Sequence, residues 1–162
     1  MILIALGANL PSEAGAPEQT LAAALEALEA EGVRVVARSR FYRSAPVPAS
    51  DQPDYVNAVV RVETALDPAS LLALLHRIEA RFGRVRRAKN EARTLDLDLL
   101  AYGERVGTGV DRPILPHPRL HERAFVLYPL AEIAPDWRHP LFHRTAASLA
   151  KDLPPDAEVH PF

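Results

Sequence analysis

A chain of 162 residues, 48% hydrophobic and 25% charged, has enough apolar material for one domain with a real core, and residues 1–162 are expected to form that single domain. A net charge of −2 excludes a general polyanion binder, and the absence of cysteine excludes a disulfide scaffold, a thiol nucleophile and a thiolate-held metal. No apolar run approaches the ~20 residues of a membrane span, so a cytoplasmic protein that binds neither membrane nor nucleic acid is expected.

Met1 to Leu6 has no basic flank and is too short for a signal peptide. Its run Ile2 to Leu6, ending at Gly7, predicts a central strand buried on both faces. Gly7-Ala8-Asn9-Leu10-Pro11 is turn chemistry. Pro17 to Glu31 is rich in Ala, Leu and Glu, with Leu21, Leu25 and Leu28 as one stripe and Gly32 as the stop, which predicts a helix. Val33 to Tyr42 alternates and predicts a second strand. Ser44 to Pro53 holds prolines at 46, 48 and 53 and predicts a stiff, extended loop. Tyr55 to Thr64 predicts a third strand, with Tyr55, Asn57, Val59 and Arg61 on one face and Val56, Ala58, Val60 and Val62 on the other. Asp67-Pro68 caps a second helix whose stripe is Leu71, Leu74, Leu75 and Ile78, and Gly83 ends it.

Arg84, Arg86, Arg87, Lys89 and Arg93 then form a basic stretch, followed by Thr94-Leu95-Asp96-Leu97-Asp98-Leu99-Leu100. Read as a strand, this segment puts the three odd-numbered leucines on one face and Thr94, Asp96 and Asp98 on the other. Two carboxylates two residues apart have Cα atoms roughly 6.5–7 Å apart, close enough for their oxygens to converge on one hard cation or on two. The pair repels itself and calls for such a cation, whereas the short pattern taken alone reads as an edge strand with two solvated acids beside a solvated basic loop. Acids that hold a metal beside bases that hold phosphate suit a nucleotide polyphosphate. Beyond them, Gly103 to Gly107 predicts a small hairpin, Glu122 to Glu132 and His143 to Lys151 predict helices, and the Pro-rich tail predicts a loose end.

The order strand, helix, strand, strand, helix, strand is the α+β, ferredoxin-like βαββαβ pattern: an antiparallel sheet with helices on one face, here with C-terminal additions. The open face should carry Tyr55 and Asn57 and, if the registers agree, Asp96 and Asp98. No phosphate-binding G-x-x-x-x-G-K-[ST], dinucleotide-binding G-x-G-x-x-G or nucleophile-elbow G-x-S-x-G string is present. His117 and His121 are four apart, but Pro116 and Pro118 bracket His117 and oppose a helix that would present both to a metal. Taken alone, Glu79 reads as a surface charge.

Several strings together resemble the 6-hydroxymethyl-7,8-dihydropterin pyrophosphokinase family of folate biosynthesis. They are Gly7-Ala8-Asn9-Leu10, Phe41-Tyr42-Arg43-Ser44, Asp51-Gln52-Pro53-Asp54-Tyr55-Val56-Asn57-Ala58, Arg77-Ile78-Glu79, Gly83-Arg84-Val85-Arg86, Arg93-Thr94-Leu95-Asp96-Leu97-Asp98, Pro116-His117-Pro118 and Glu122-Arg123-Ala124-Phe125. The resemblance implies transfer of the β,γ-diphosphate of ATP to the pterin hydroxymethyl oxygen, with AMP released, by a monomer acting on two small molecules. It implies that Asp96 and Asp98 hold two Mg²⁺ ions, and that Arg84, Arg93 and His117 share the catalytic work. Glu79, Arg84, Arg93, Arg112, His117 and Arg123 would face ATP; Ser44, Val47, Tyr55, Asn57 and Phe125 would face the pterin. Asn90, Glu91 and Ala92 depart from the tryptophan and proline common before the signature arginine, in a loop expected to act as a lid. A rival reading is a non-catalytic nucleotide-binding or regulatory domain of the same fold.

Overall fold

The apolar run at the start of the chain becomes β1 (Ile2–Ala8), and Leu3, Ile4 and Ala8 in it are fully buried. The computed structural model describes residues 1–46, 49–83, 94–107, 113–154 and 159–162. After β1 come α1 (Pro17–Ala30), β2 (Arg34–Arg38), β3 (Tyr42–Ser44), β4 (Tyr55–Glu63), α2 (Pro68–Arg81), β5 (Asp96–Tyr102), α3 (Ala124–Ile133), α4 (Ala146–Lys151) and β6 (Val159–Pro161), with one 3-10 turn at Leu120–Glu122. The strands line up as β5-β1-β4-β3-β6, every pairing antiparallel, and β2 shares with β3 one edge of β4. This is the expected ferredoxin-like arrangement.

Local chemistry explains the helix bounds. Asp67 accepts the Ser70 N–H at 2.7 Å with Pro68 in the first turn, as the sequence predicts for α2. Gly32 and Gly83 both take φ of +84° just past their helices, a left-handed conformation that glycine adopts without a Cβ penalty. The expected strand from Val33 to Tyr42 is broken in two at Ser39. The Ser39 hydroxyl accepts from Val59 N at 3.0 Å and donates to Arg40 O at 2.7 Å, so a side chain stands in for the ladder there.

The core has two parts, one on each face of the sheet. On the first, Leu21, Leu25 and Leu28 of α1 and Leu71, Leu74, Leu75 and Ile78 of α2 cover Ile4, Leu6, Val60, Val62, Leu97 and Leu99. On the second, Val126, Leu127 and Leu130 of α3, Leu149 of α4 and Trp137 cover Leu3, Ala5, Val59 and Leu100. The face expected to be open is therefore half covered. Leu3, Val59 and Leu100 form an apolar patch on it, and burying that patch is what the C-terminal helices do.

Four further expectations change after β5. The helix expected from Glu122 starts as the 3-10 turn and restarts at Ala124, and it runs through Pro129 because Val126, Leu127 and Leu130 are buried on either side. The helix expected from His143 begins three residues later, where Thr145 accepts the Ser148 N–H at 3.1 Å. The tail expected to be loose forms β6 and pairs with β3. The expected Gly103–Gly107 hairpin is instead a bridge from Gly107 to Leu115. Among the described residues no helix is long and apolar enough to cross a membrane.

Candidate active site

Sheet register builds the site. Gly7 of β1 lies opposite Asn57 of β4 on one side and opposite Asp96 of β5 on the other. Two residues back, Ala5 lies opposite Val59 and Asp98. Asn57, Gly7 and Asp96 thus form one row across three strands, on the same face as Asp98 and Tyr55, and at strand spacing Asn57 and Asp96 stand about 10 Å apart. Gly7 keeps the middle of the row low: a Cβ there would meet Asn57 Oδ1 at 3.2 Å and Tyr55 Cδ1 at 4.0 Å.

At the β4 end, Asn57 is 4% exposed and donates through Nδ2 to Ser44 Oγ at 2.7 Å. That bond fixes which way the amide faces. Tyr55, half-buried, opens β4, and Phe125, also half-buried, is the second residue of α3. Asn9, just past β1, is buried and donates to Gln52 Oε1 and Pro53 O, each at 3.1 Å, which ties the loop before Tyr55 to the end of β1. The sequence assigned Asn9 no role, although a turn asparagine is a residue able to bind two backbone or side-chain partners at once.

At the β5 end, Asp96 and Asp98 are half-buried and share a face, while Leu97 between them points into the core. Below this strand lies Glu79, 2% exposed, whose Oε2 accepts the Leu97 N–H at 2.7 Å. The residue-only reading of Glu79 as a surface charge is wrong. Leu71, Leu75 and Glu79 follow one another at intervals of four on the buried stripe of α2, and β5 is a sheet edge whose outer N–H groups need partners. The fourfold spacing was visible in the sequence; the edge was not.

His117 lies beside β5, its N–H donating to Leu100 O at 2.9 Å and its Nδ1 accepting from Arg119 N at 3.2 Å. Burial lowers its pKa to about 4, with the positive charges of Arg123 and Arg119 adding to the effect and Asp96 opposing it. The ring is neutral at neutral pH, and with Nδ1 accepting, Nε2 carries the proton and can donate. The Arg123 guanidinium lies over the Phe125 ring at 5.6 Å, linking the phosphate-type and ring-type candidates at the start of α3. His121 meets the ring of Phe142 edge-on at 4.7 Å, and its Nε2 lies 3.5 Å from Glu122 Oε1.

Register, then, brings Asn57, Tyr55, Asp96 and Asp98 to one face, with Ser44 bonded to Asn57 and His117 under the field of Asp96. Val47, Arg84, Arg93 and Arg112, and with them the basic stretch expected to act as a lid, lie outside the described residues. Two carboxylates on one face are oxygen donors of the kind that suit a hard cation, and they leave room for phosphate oxygens and water to complete a shell. Among the described residues no group of three potential ligands comes together.

The chain's sequence matches the family model described as 7,8-dihydro-6-hydroxymethylpterin-pyrophosphokinase (HPPK) over residues 3–135. It is 47% identical over 134 residues to a 2-amino-4-hydroxy-6-hydroxymethyldihydropteridine pyrophosphokinase of Haemophilus influenzae, covering 82% of this chain and 81% of that one. Its identity to the protein of the same name in Pseudomonas aeruginosa is 45% over 142 residues, with 86% and 83% covered. Among solved structures, wild-type Plasmodium falciparum HPPK-DHPS superposes with a TM-score of 0.70 at 14% identity, over 93% of this chain and 44% of that longer one. At that identity the superposition speaks for the fold alone.

Proposed function

This chain belongs to the 7,8-dihydro-6-hydroxymethylpterin-pyrophosphokinase family, and from that premise we propose how its residues carry the activity. The protein transfers the β,γ-diphosphate of ATP to the hydroxymethyl oxygen of 6-hydroxymethyl-7,8-dihydropterin in folate synthesis and releases AMP. The observation that supports the assignment of parts is the row Asn57–Gly7–Asp96, in which an amide and a carboxylate share one face about 10 Å apart.

Asp96 and Asp98 hold Mg²⁺, two ions in this reading. When bound, Mg²⁺ draws charge from the polyphosphate and polarises the β-phosphorus. Neutral His117 donates from Nε2 to the nucleotide, and Arg123, with Arg84, Arg93 and Arg112, stabilises phosphate charge. Glu79 serves the nucleotide indirectly, by holding the backbone between the two aspartates. At the other end Asn57, oriented by Ser44, offers a donor and an acceptor together, as a lactam beside an amino group requires, and Val47 adds a contact from its backbone. Tyr55 and Phe125 stack on the ring. Residues 1–162 act as one domain and as a monomer in the cytoplasm.

Incubation with ATP, Mg²⁺ and the pterin, followed by identification of the nucleotide product, tests this. AMP formed only when pterin is present is the expected result. ADP would mean transfer of a single phosphoryl group and would sink the mechanism. ATP binding without turnover would favour a regulatory domain of the same fold.

A further inference from the structure

β3 is only three residues long, and it carries Ser44, the hydroxyl that orients the Asn57 amide. A strand this short has few ladder bonds to hold it if one side is left open. Its Tyr42 end has an anchor outside the sheet: the Tyr42 hydroxyl donates to Glu132 of α3 at 2.6 Å, and the Arg40 N–H donates to the same carboxylate at 2.8 Å. The Ser44 end lies between Tyr55 of β4 and Val159 of β6.

β6 is built to pair there. The Phe162 N–H donates to Phe41 O at 2.9 Å, which makes Phe41 and Phe162 a hydrogen-bonded pair. Antiparallel alternation then makes Arg43 and His160 the next bonded pair and leaves Pro161, which has no N–H, opposite Tyr42 at a non-bonded position. On the face away from the site, the Arg43 guanidinium covers the Phe162 ring at 4.8 Å and the Phe41 ring meets it edge-on at 6.3 Å. Ser44 faces the other way, toward Asn57.

We infer that β6 is a brace for the pterin-reading end of the site: pairing with β3 holds Ser44 in place, and through Ser44 the amide of Asn57. His160, through its backbone, and Phe162 are positioning residues for the pterin. The nucleotide end stands on β5, on the far side of β1, and does not depend on this pairing. The inference rests on the proposed pterin role of Asn57.

The test uses the full chain with three variants. His160→Pro removes the ladder N–H, His160→Ala keeps it, and Phe162→Ala removes the ring beneath Arg43. The pterin KM, the ATP KM, pterin binding by fluorescence titration and the thermal midpoint are measured for each. His160→Pro is expected to raise the pterin KM and Kd about tenfold, the scale of one misplaced hydrogen bond. The ATP KM should not change, His160→Ala should match the parent, and Phe162→Ala should move pterin binding in the same direction by less. Unchanged pterin binding in both His160→Pro and Phe162→Ala overturns the brace. Equal losses for both substrates, tracking a fall in thermal midpoint, also overturn it, because β6 would then be structural only. Should His160→Pro not fold, Phe162→Ala alone decides. A parent chain that forms no AMP with pterin overturns the underlying reading of Asn57, which separates that failure from failure of the brace.

Discussion

Glu79 on α2 accepts the N–H of Leu97 on β5 at 2.7 Å and thereby fastens the one residue that lies between Asp96 and Asp98. A buried carboxylate in that position is a strut for the strand that carries the aspartate pair. Replacing it with alanine leaves a strand-edge N–H without its acceptor. Glu79→Ala is expected to lower stability by about 1–3 kcal/mol. It should also raise the ATP KM while leaving the pterin KM near the parent value. Glu79→Gln keeps an acceptor oxygen and should recover most of both losses. Denaturant titration and steady-state kinetics check this, and an alanine variant with normal stability would contradict the role.

The aspartate pair gives a second expectation. Asp96→Asn or Asp98→Asn removes half of the proposed carboxylate pair and should lower kcat by about 10²-fold or more, the usual scale for losing one electrostatic contributor to the transition state. The fold should persist, and the apo form should become slightly more stable because two like charges no longer face each other. EDTA should abolish turnover of the parent and Mg²⁺ should restore it. Turnover that survives EDTA would refute the metal assignment.

Gly7 supplies a third. A Cβ at this position would stand 3.2 Å from Asn57 Oδ1, tighter than ordinary contact, so the amide must shift. Gly7→Ala is therefore expected to raise the pterin KM about tenfold, equivalent to roughly 1.4 kcal/mol. Thermal stability should change little, since the β-region backbone of a strand accepts alanine. An ATP KM that rises in step with the pterin KM would show that the row is not divided as proposed.

The fourth concerns pH. His139 is 2% exposed, and its Nδ1 accepts from the N–H groups of Leu141 and Phe142, both at 3.2 Å. Burial lowers its pKa below the usual 6.5, with His121 and His143 adding to the effect, and His117 is lowered to about 4. His117 stays neutral in the folded chain down to about pH 4, and His139 takes up its proton at a lower pH than it does in the unfolded chain, which protonates these rings below about pH 6.5. Stability conferred by these rings is present above that pH and is lost as pH falls below it, by up to about 1.4 kcal/mol per pH unit for each group. Denaturant midpoints between pH 7 and pH 5 should fall, and His139→Asn should flatten the slope. A midpoint that rises on acidification would contradict both assignments.

What could be read without coordinates was what short-range chemistry settles. Alternation alone put Asp96 and Asp98 on one face and Tyr55 and Asn57 on another, because strand side chains repeat every two residues wherever the strand lies. Asp67, Pro68 and Gly83 bounded α2 because caps and stops act within a turn. The order of elements named the fold, since strand, helix, strand, strand, helix, strand has few compact solutions. Whether those two faces were the same face was a different question. It depended on which residues of β1 stand opposite Asn57 and Asp96, and pairing partners 50 and 89 residues from Gly7 leave no local trace. Tertiary structure alone decided that Gly7 joins both, that Glu79 lies under a strand edge, that Ser39 interrupts a strand and that a Pro-rich tail pairs with β3. Each of these hangs on a group finding a distant partner for a buried N–H or an apolar patch, and that requirement exists only once the chain has folded.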